Sequence, residues 1–230
     1  MDTIILAGGF GTRLQSVVSD LPKPMAPVQN RPFLEYQLDY LKQSGINDVI
    51  LSVGYLHDVV IRHFGDCYND IRLKYAIENH PLGTGGGIKF ATSLMCGEDA
   101  LVLNGDSFFN INIEKFYSFY VKYHPDILLA LKYMDDLSRY GGVEIDNEGN
   151  IVAFREKGLI KAGGYINGGI YLFNKNILND FPERFSFEKE LLENPGGLKV
   201  MGLPFDSDFI DIGIPEDYYK IQSWNWSQLK

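Results

Sequence analysis

Glycines and cations crowd the start of this sequence in an order suited to holding phosphates. The segment LAGGFGTRL at 6–14 follows a short apolar run. Its glycines Gly8, Gly9 and Gly11 let the backbone approach a ligand closely and turn N–H groups toward an anion. Thr12 adds a hydroxyl, and Arg13 a permanent charge that can fork onto phosphate oxygens. Further on, Lys23 stands between Pro22 and Pro24, whose fixed φ angles restrain the stem of its ammonium. Two familiar phosphate motifs are absent. A P-loop needs GxxxxGK[ST], and no Lys-Ser or Lys-Thr follows; a dinucleotide fingerprint needs GxGxxG, and Leu14 stands where the third glycine belongs. Taken singly, Lys23 reads as a surface lysine, and the glycine loop has a tight strand-to-helix turn as its alternative.

Such residues act only if regular elements aim them. Residues 3–7 read as a buried strand. Residues 32–44 carry Leu34, Leu38 and Leu41 at helical spacing, with Pro32 suited to a first turn and Gly45 just past the end. Strands over 48–53, 73–77, 100–103 and 127–132 then alternate with helices over 57–64, 86–94 and 113–123. This is the pattern of βαβ units in a mostly parallel sheet flanked by helices, a Rossmann-like α/β fold. The second half is less regular: 142–145 and 151–154 flank a turn-rich stretch and read as a hairpin, 165–173 as a strand and 215–223 as a closing helix. No internal repeat is present, and no C-terminal β-helix repeat follows Asp211.

Composition narrows the function classes. The 230 residues show no compositional break and read as a single domain spanning 1–230, with 45% hydrophobic content for one core. The formal charge of −9 argues against nucleic acid as a partner, because phosphate backbones need a basic face. Cys67 and Cys96 lack metal spacing and read as free thiols of a reducing cytosol; the four histidines form no HExxH. No segment approaches the ~18 apolar residues of a membrane span, and no basic n-region precedes the first apolar run, so a cytoplasmic protein with no membrane partner is expected. A homodimer is left open.

Together, AGGFGTRL and PKPM resemble the sugar-1-phosphate nucleotidylyltransferase family, and the resemblance runs from Ile4 to about Tyr219. It implies Mg²⁺-dependent transfer of a nucleotidyl group from an NTP to a sugar 1-phosphate. Asp106, closing LVLNGD, and Asp211, in FIDIG, match the family's metal-binding aspartates. A carboxylate at the C-terminal edge of a parallel strand faces the ligand crevice of such a sheet. Catalytic roles fall on Arg13, Lys23, Asp106 and Asp211. Nucleotide contacts fall on Leu6, Ala7, Gly8, Gly9, Gly11, Thr12 and Arg13, and on Glu78, Pro81, Gly83 and Thr84 of the base loop ENHPLGTGG. Sugar-phosphate contacts fall on Tyr140, Gly141, Glu156, Lys157 and Asn167, within YGGV, FREK and NGGIY. Glycine pairs in YGG and NGG are expected to leave room around the sugar.

Within the family, the PLGTGGGI loop, the NGGIY element and the missing repeat domain resemble compact bacterial members that activate D-glycero-α-D-manno-heptose 1-phosphate with GTP, for surface polysaccharide synthesis. Glu78 could accept from both donors on guanine's Watson–Crick edge, though relatives using other bases carry glutamate there too. Mannose 1-phosphate with GTP, or a hexose 1-phosphate with UTP, remain the alternatives. A regulatory subunit without catalysis is disfavoured because Arg13, Lys23, Asp106, Lys157 and Asp211 are all present, and an NAD-dependent oxidoreductase by the broken fingerprint.

Overall fold

The structure, a computed structural model, describes residues 1–9, 14, 17–18, 20–157 and 162–226. In chain order its first half contains β1 (Asp2–Leu6), β2 (Pro27–Val28), β3 (Arg31–Pro32), α1 (Phe33–Gln43), β4 (Asp48–Val53), α2 (His57–Phe64), β5 (Cys67–Tyr68), β6 (Ile71–Ile77), α3 (Gly83–Thr92), β7 (Asp99–Asn104), β8 (Ser107–Phe109) and α4 (Ile113–Tyr123). The second half adds β9 (Ile127–Met134), β10 (Gly142–Ile145), β11 (Ile151–Arg155), β12 (Gly164–Asn174), β13 (Val200–Phe205), β14 (Phe209–Asp211) and α5 (Pro215–Ile221).

Ten strands form one mostly parallel mixed sheet with helices on its faces. Its centre, in the order β7-β1-β4-β6, is parallel throughout. These strands are apolar runs because both faces are covered. Alternate residues feed two cores: Ile5, Leu51 and Leu103 join one cluster, and Ile4, Ile50 and Val102 the other. The expected hairpin is present as β10 and β11, antiparallel to each other. β12 runs antiparallel to β7 over 170–174, to β10 over 165–166 and to β9, and its register against β9 shifts between Asn167 and Tyr171. Gly169, at φ 74°, supplies the left-handed residue in that irregular stretch.

Several boundaries differ from the sequence reading. α3 begins three residues before the expected 86, because its glycines are selected by packing rather than helix propensity. A Cβ on Gly85 would sit 2.2 Å from the Phe185 ring. β13 was not expected, since Gly202 and Pro204 mask its strand pattern, yet it pairs in parallel with β9. The two-stranded pair of β8 and β14 was also unforeseen. Among the described residues no helix is long and apolar enough to cross a membrane.

Candidate active site

The parallel centre of the sheet converges on one edge. β1 leads into Gly8 and Gly9, β4 into Gly54, β6 into Glu78 and β7 into Asp106. All four leave the C-terminal ends of neighbouring strands, where open α/β sheets bind ligands. Two cavities open there.

The first, about 490 Å³, is lined by Leu6, Gly8, Gly9, Ser52, Glu78, Pro81, Gly83 and Thr84, with Tyr55, His57 and residues beside them. Ala7 does not reach it: that residue is buried, and its N–H is tied to Ser52 O at 2.7 Å. Glu78 is held at both oxygens. Ser52 Oγ donates to Oε1 at 3.1 Å, and the Leu82 N–H donates to Oε2 at 3.2 Å. The carboxylate is thereby fixed on the cavity wall with unused lone pairs on each oxygen. A polar Ser52 inside the apolar run ILSV was the available sequence signal for this support. Gly11, Thr12 and Arg13 lie outside the described residues.

The second cavity, about 250 Å³, is lined among others by Asn104, Asp106, Tyr140, Gly141, Lys157, Asn167, Tyr171, Glu188 and Asp211. Here β8 and β14 bring distant residues together. Asp211 is the register partner of Ser107, and the Ile212 N–H donates to Asp106 O at 2.9 Å. The two predicted carboxylates thus share one corner. Lys23 joins them from a 3₁₀ turn, Lys23–Met25, that starts after Pro22. Its ammonium is 2.5 Å from Asp106 Oδ2 and 3.8 Å from Asp211 Oδ1. The Gly213 N–H donates to Asp211 Oδ1 at 2.6 Å. Only 8% of the lysine is exposed, so it is held rather than waving in solvent.

Close backbone approach underlies this corner. The Gly105 N–H donates to Leu6 O at 3.0 Å, and a Cβ on Gly105 would lie 2.3 Å from that oxygen. The glycine in NGD therefore seats the loop after β7 on the end of β1.

No group of three or more His, Cys, Asp or Glu among the described residues could hold a metal ion. The pair of oxygen-only carboxylates instead suits a hard divalent cation that keeps waters and takes phosphate oxygens for the rest of its shell. The Lys23 ammonium between them marks the same spot as a place for positive charge.

The residues expected to meet the sugar phosphate fare differently in this cavity. Tyr140 is half-buried, with burial and then the nearby Asp217 carboxylate pushing its phenol above the ordinary range. Arg139 lies 5.8 Å over its ring and pairs with Asp217. Lys157 is exposed on the cavity rim, whereas Glu156 is exposed and is not among the residues lining the cavity. Two side chains expected to meet ligand are already engaged. Asn167 Oδ1 accepts from the Gly169 N–H at 2.9 Å and its Nδ2 donates to Tyr171 Oη at 2.9 Å. Thr84 Oγ1 donates to Glu188 Oε2 at 2.5 Å and accepts from the Phe187 N–H at 2.9 Å. The roominess expected of NGG is also corrected, because a Cβ on Gly168 would lie 2.4 Å from Phe109, whose ring fills that space. Burial drives the Tyr171 phenol far above its ordinary range. Asn104, Tyr171 and Glu188 were not assigned from sequence; Glu188 lies in no motif, while Asn104 lay within the NGD already noted.

The chain matches the nucleotidyl transferase family over residues 2–223. It is 50% identical over 222 residues to D-glycero-alpha-D-manno-heptose 1-phosphate guanylyltransferase of Campylobacter jejuni, covering 95% of this chain and 97% of that one. The enzyme of the same name from Aneurinibacillus thermoaerophilus is 46% identical over 225 residues, covering 96% and 97%. Among solved structures, HddC from Yersinia pseudotuberculosis complexed with GMP-PN superimposes with a TM-score of 0.87 at 38% identity, over 96% of this chain and 97% of that chain.

Proposed function

As the chain belongs to the nucleotidyl transferase family, we propose that it transfers GMP from GTP to D-glycero-α-D-manno-heptose 1-phosphate, releasing pyrophosphate and GDP-heptose. The observation that carries this reading is the corner where Lys23 meets Asp106 and Asp211 on the cavity that Tyr140 and Lys157 also line, with the cavity of the glycine loop and Glu78 on the same sheet edge. That geometry suits a nucleotide on one side, a sugar phosphate on the other and charge control between them.

Glu78 accepts from guanine N1–H and N2–H₂. Gly8 and Gly9 let the backbone approach the triphosphate, and Arg13 acts on the departing pyrophosphate. Lys157 holds the sugar phosphate, and Tyr140 with Gly141 walls its sugar. A sugar-phosphate oxygen attacks the α-phosphorus in line; a new P–O bond forms as the bond to pyrophosphate breaks. No covalent enzyme intermediate is needed, because orientation and charge stabilisation supply the rate. Asp106 and Asp211 would hold Mg²⁺, which neutralises charge on the phosphate oxygens when bound. Lys23 adds a second positive charge at the same oxygens.

The test is product analysis. Purified protein with GTP, Mg²⁺ and the heptose 1-phosphate is expected to give equal amounts of GDP-heptose and pyrophosphate by ³¹P NMR. Absence of both products under saturating substrates contradicts the reading.

A further inference from the structure

The connection between β12 and β13 contributes a carboxylate that no sequence motif contains. Glu188 lies in the π-helical stretch Phe187–Leu192, a form of helix that is rare and concentrated at functional sites. The stretch is anchored at its start. Ser186 Oγ accepts from the Lys189 N–H at 3.2 Å, and the Ser186 N–H donates to Glu190 Oε2 at 2.6 Å. Phe187 packs its ring 5.1 Å from that of the buried Tyr171. Glu188 thus lines the sugar-side cavity from a fixed backbone.

Its side chain is aimed as well. Oε2 accepts from Thr84 Oγ1 at 2.5 Å and from Ser186 Oγ at 3.2 Å. Thr84 lines the other cavity, so this hydrogen bond joins the walls of the two cavities. Oε1 has no hydrogen bond among the described residues and keeps its acceptor capacity.

A second observation in the same cavity points to a hydroxylated ligand. Asn104 lines that cavity, and its Oδ1 is shielded from solvent and has no hydrogen-bond partner among the described residues. Buried acceptors are nearly always matched by donors, so an unmatched amide oxygen on a residue that lines the cavity suits a ligand O–H. The Tyr171 phenol, which accepts from Asn167 Nδ2, lines the same cavity.

We propose that Glu188 and Asn104 are the acceptors that read the sugar's hydroxyls, and that Thr84 positions Glu188, so that the nucleotide loop also sets the sugar site. This rests on the chain being a sugar-1-phosphate guanylyltransferase. A site built to accept from a hydroxyl discriminates against an analogue lacking it, because its polar groups are then left unpaired.

Steady-state kinetics with GTP and the heptose 1-phosphate test the idea in the unmutated protein and in Glu188→Gln, Thr84→Val and Thr84→Ser, alongside GTP titration calorimetry without sugar. Glu188→Gln and Thr84→Val are each expected to raise the sugar-phosphate KM roughly tenfold, by more than they weaken GTP binding. Thr84→Ser, which keeps the hydroxyl, should restore that KM. Retained GTP binding shows that Glu188→Gln is folded; if it does not fold, the Val and Ser pair at position 84 decides. An unchanged sugar-phosphate KM in Glu188→Gln, or in Thr84→Val, overturns the proposal. An unmutated protein that turns over no sugar phosphate removes the functional reading, and this inference with it.

Discussion

The Lys23 ammonium lies 2.5 Å from Asp106 Oδ2, although 83 residues separate the two in sequence, and reaches within 3.8 Å of Asp211 as well. One buried cation thus balances two carboxylates that line the same cavity. A divalent cation held by Asp106 and Asp211 would share these carboxylates with that ammonium. Asp106→Asn and Asp211→Asn keep the shape and remove the charge. Each is expected to weaken Mn²⁺ binding, followed by electron paramagnetic resonance, and to cut kcat on the order of 10²-fold or more. Near-normal kcat in either folded variant would remove the two-aspartate site.

Lys157 lines the cavity that holds Asp106 and Asp211, whereas Glu78 lines the other one. Lys157→Ala is expected to raise KM for the sugar phosphate on the order of 10²-fold, as for loss of a preorganised charge partner, with a much smaller effect on KM for GTP. Initial-rate measurements varying each substrate separate the two. A rise confined to the GTP KM reverses the assignment.

Glu78 is fixed by Ser52 and the Leu82 N–H yet keeps acceptor capacity on the cavity lined by Gly8 and Gly9. Guanine offers two adjacent donors to it, and uracil one donor between two carbonyls. Glu78→Gln is expected to narrow the kcat/KM preference for GTP over UTP by roughly 10- to 100-fold, the range of one or two lost charge-assisted hydrogen bonds. A preference that survives the substitution places base selection elsewhere.

Gly105 seats the loop carrying Asp106 against the end of β1, where a Cβ would meet Leu6 O at 2.3 Å. Gly105→Ala must push that backbone apart and is expected to cost about 1–3 kcal/mol of stability. Urea denaturation should show a lower midpoint with an unchanged slope. An unchanged midpoint means that the loop adapts freely.

Much of this was legible in the sequence, for identifiable reasons. The apolar runs of β1, β4 and β7 announce strands covered on both faces, and the motifs following them place Gly8, Gly9, Asp106 and Glu78 at one sheet edge. Lys23 between prolines correctly signalled a restrained cation. Less could be read where function depends on contacts between distant segments. The bonds of the Asn167 amide to Gly169 and Tyr171 have no sequence signal, and Gly168 reads as open space until Phe109 fills it. Glu188 carries no local signature, since only the pairing of α3 with the segment after β12 brings it to Thr84.

The most direct measurement is kcat/KM for D-glycero-α-D-manno-heptose 1-phosphate and for mannose 1-phosphate, each with GTP and with UTP, in one preparation. The heptose 1-phosphate with GTP is expected to exceed every other combination, by roughly tenfold or more over mannose 1-phosphate if the site hydrogen-bonds the extra hydroxyl. Equal or better use of mannose 1-phosphate, or of UTP, contradicts heptose guanylylation as the function.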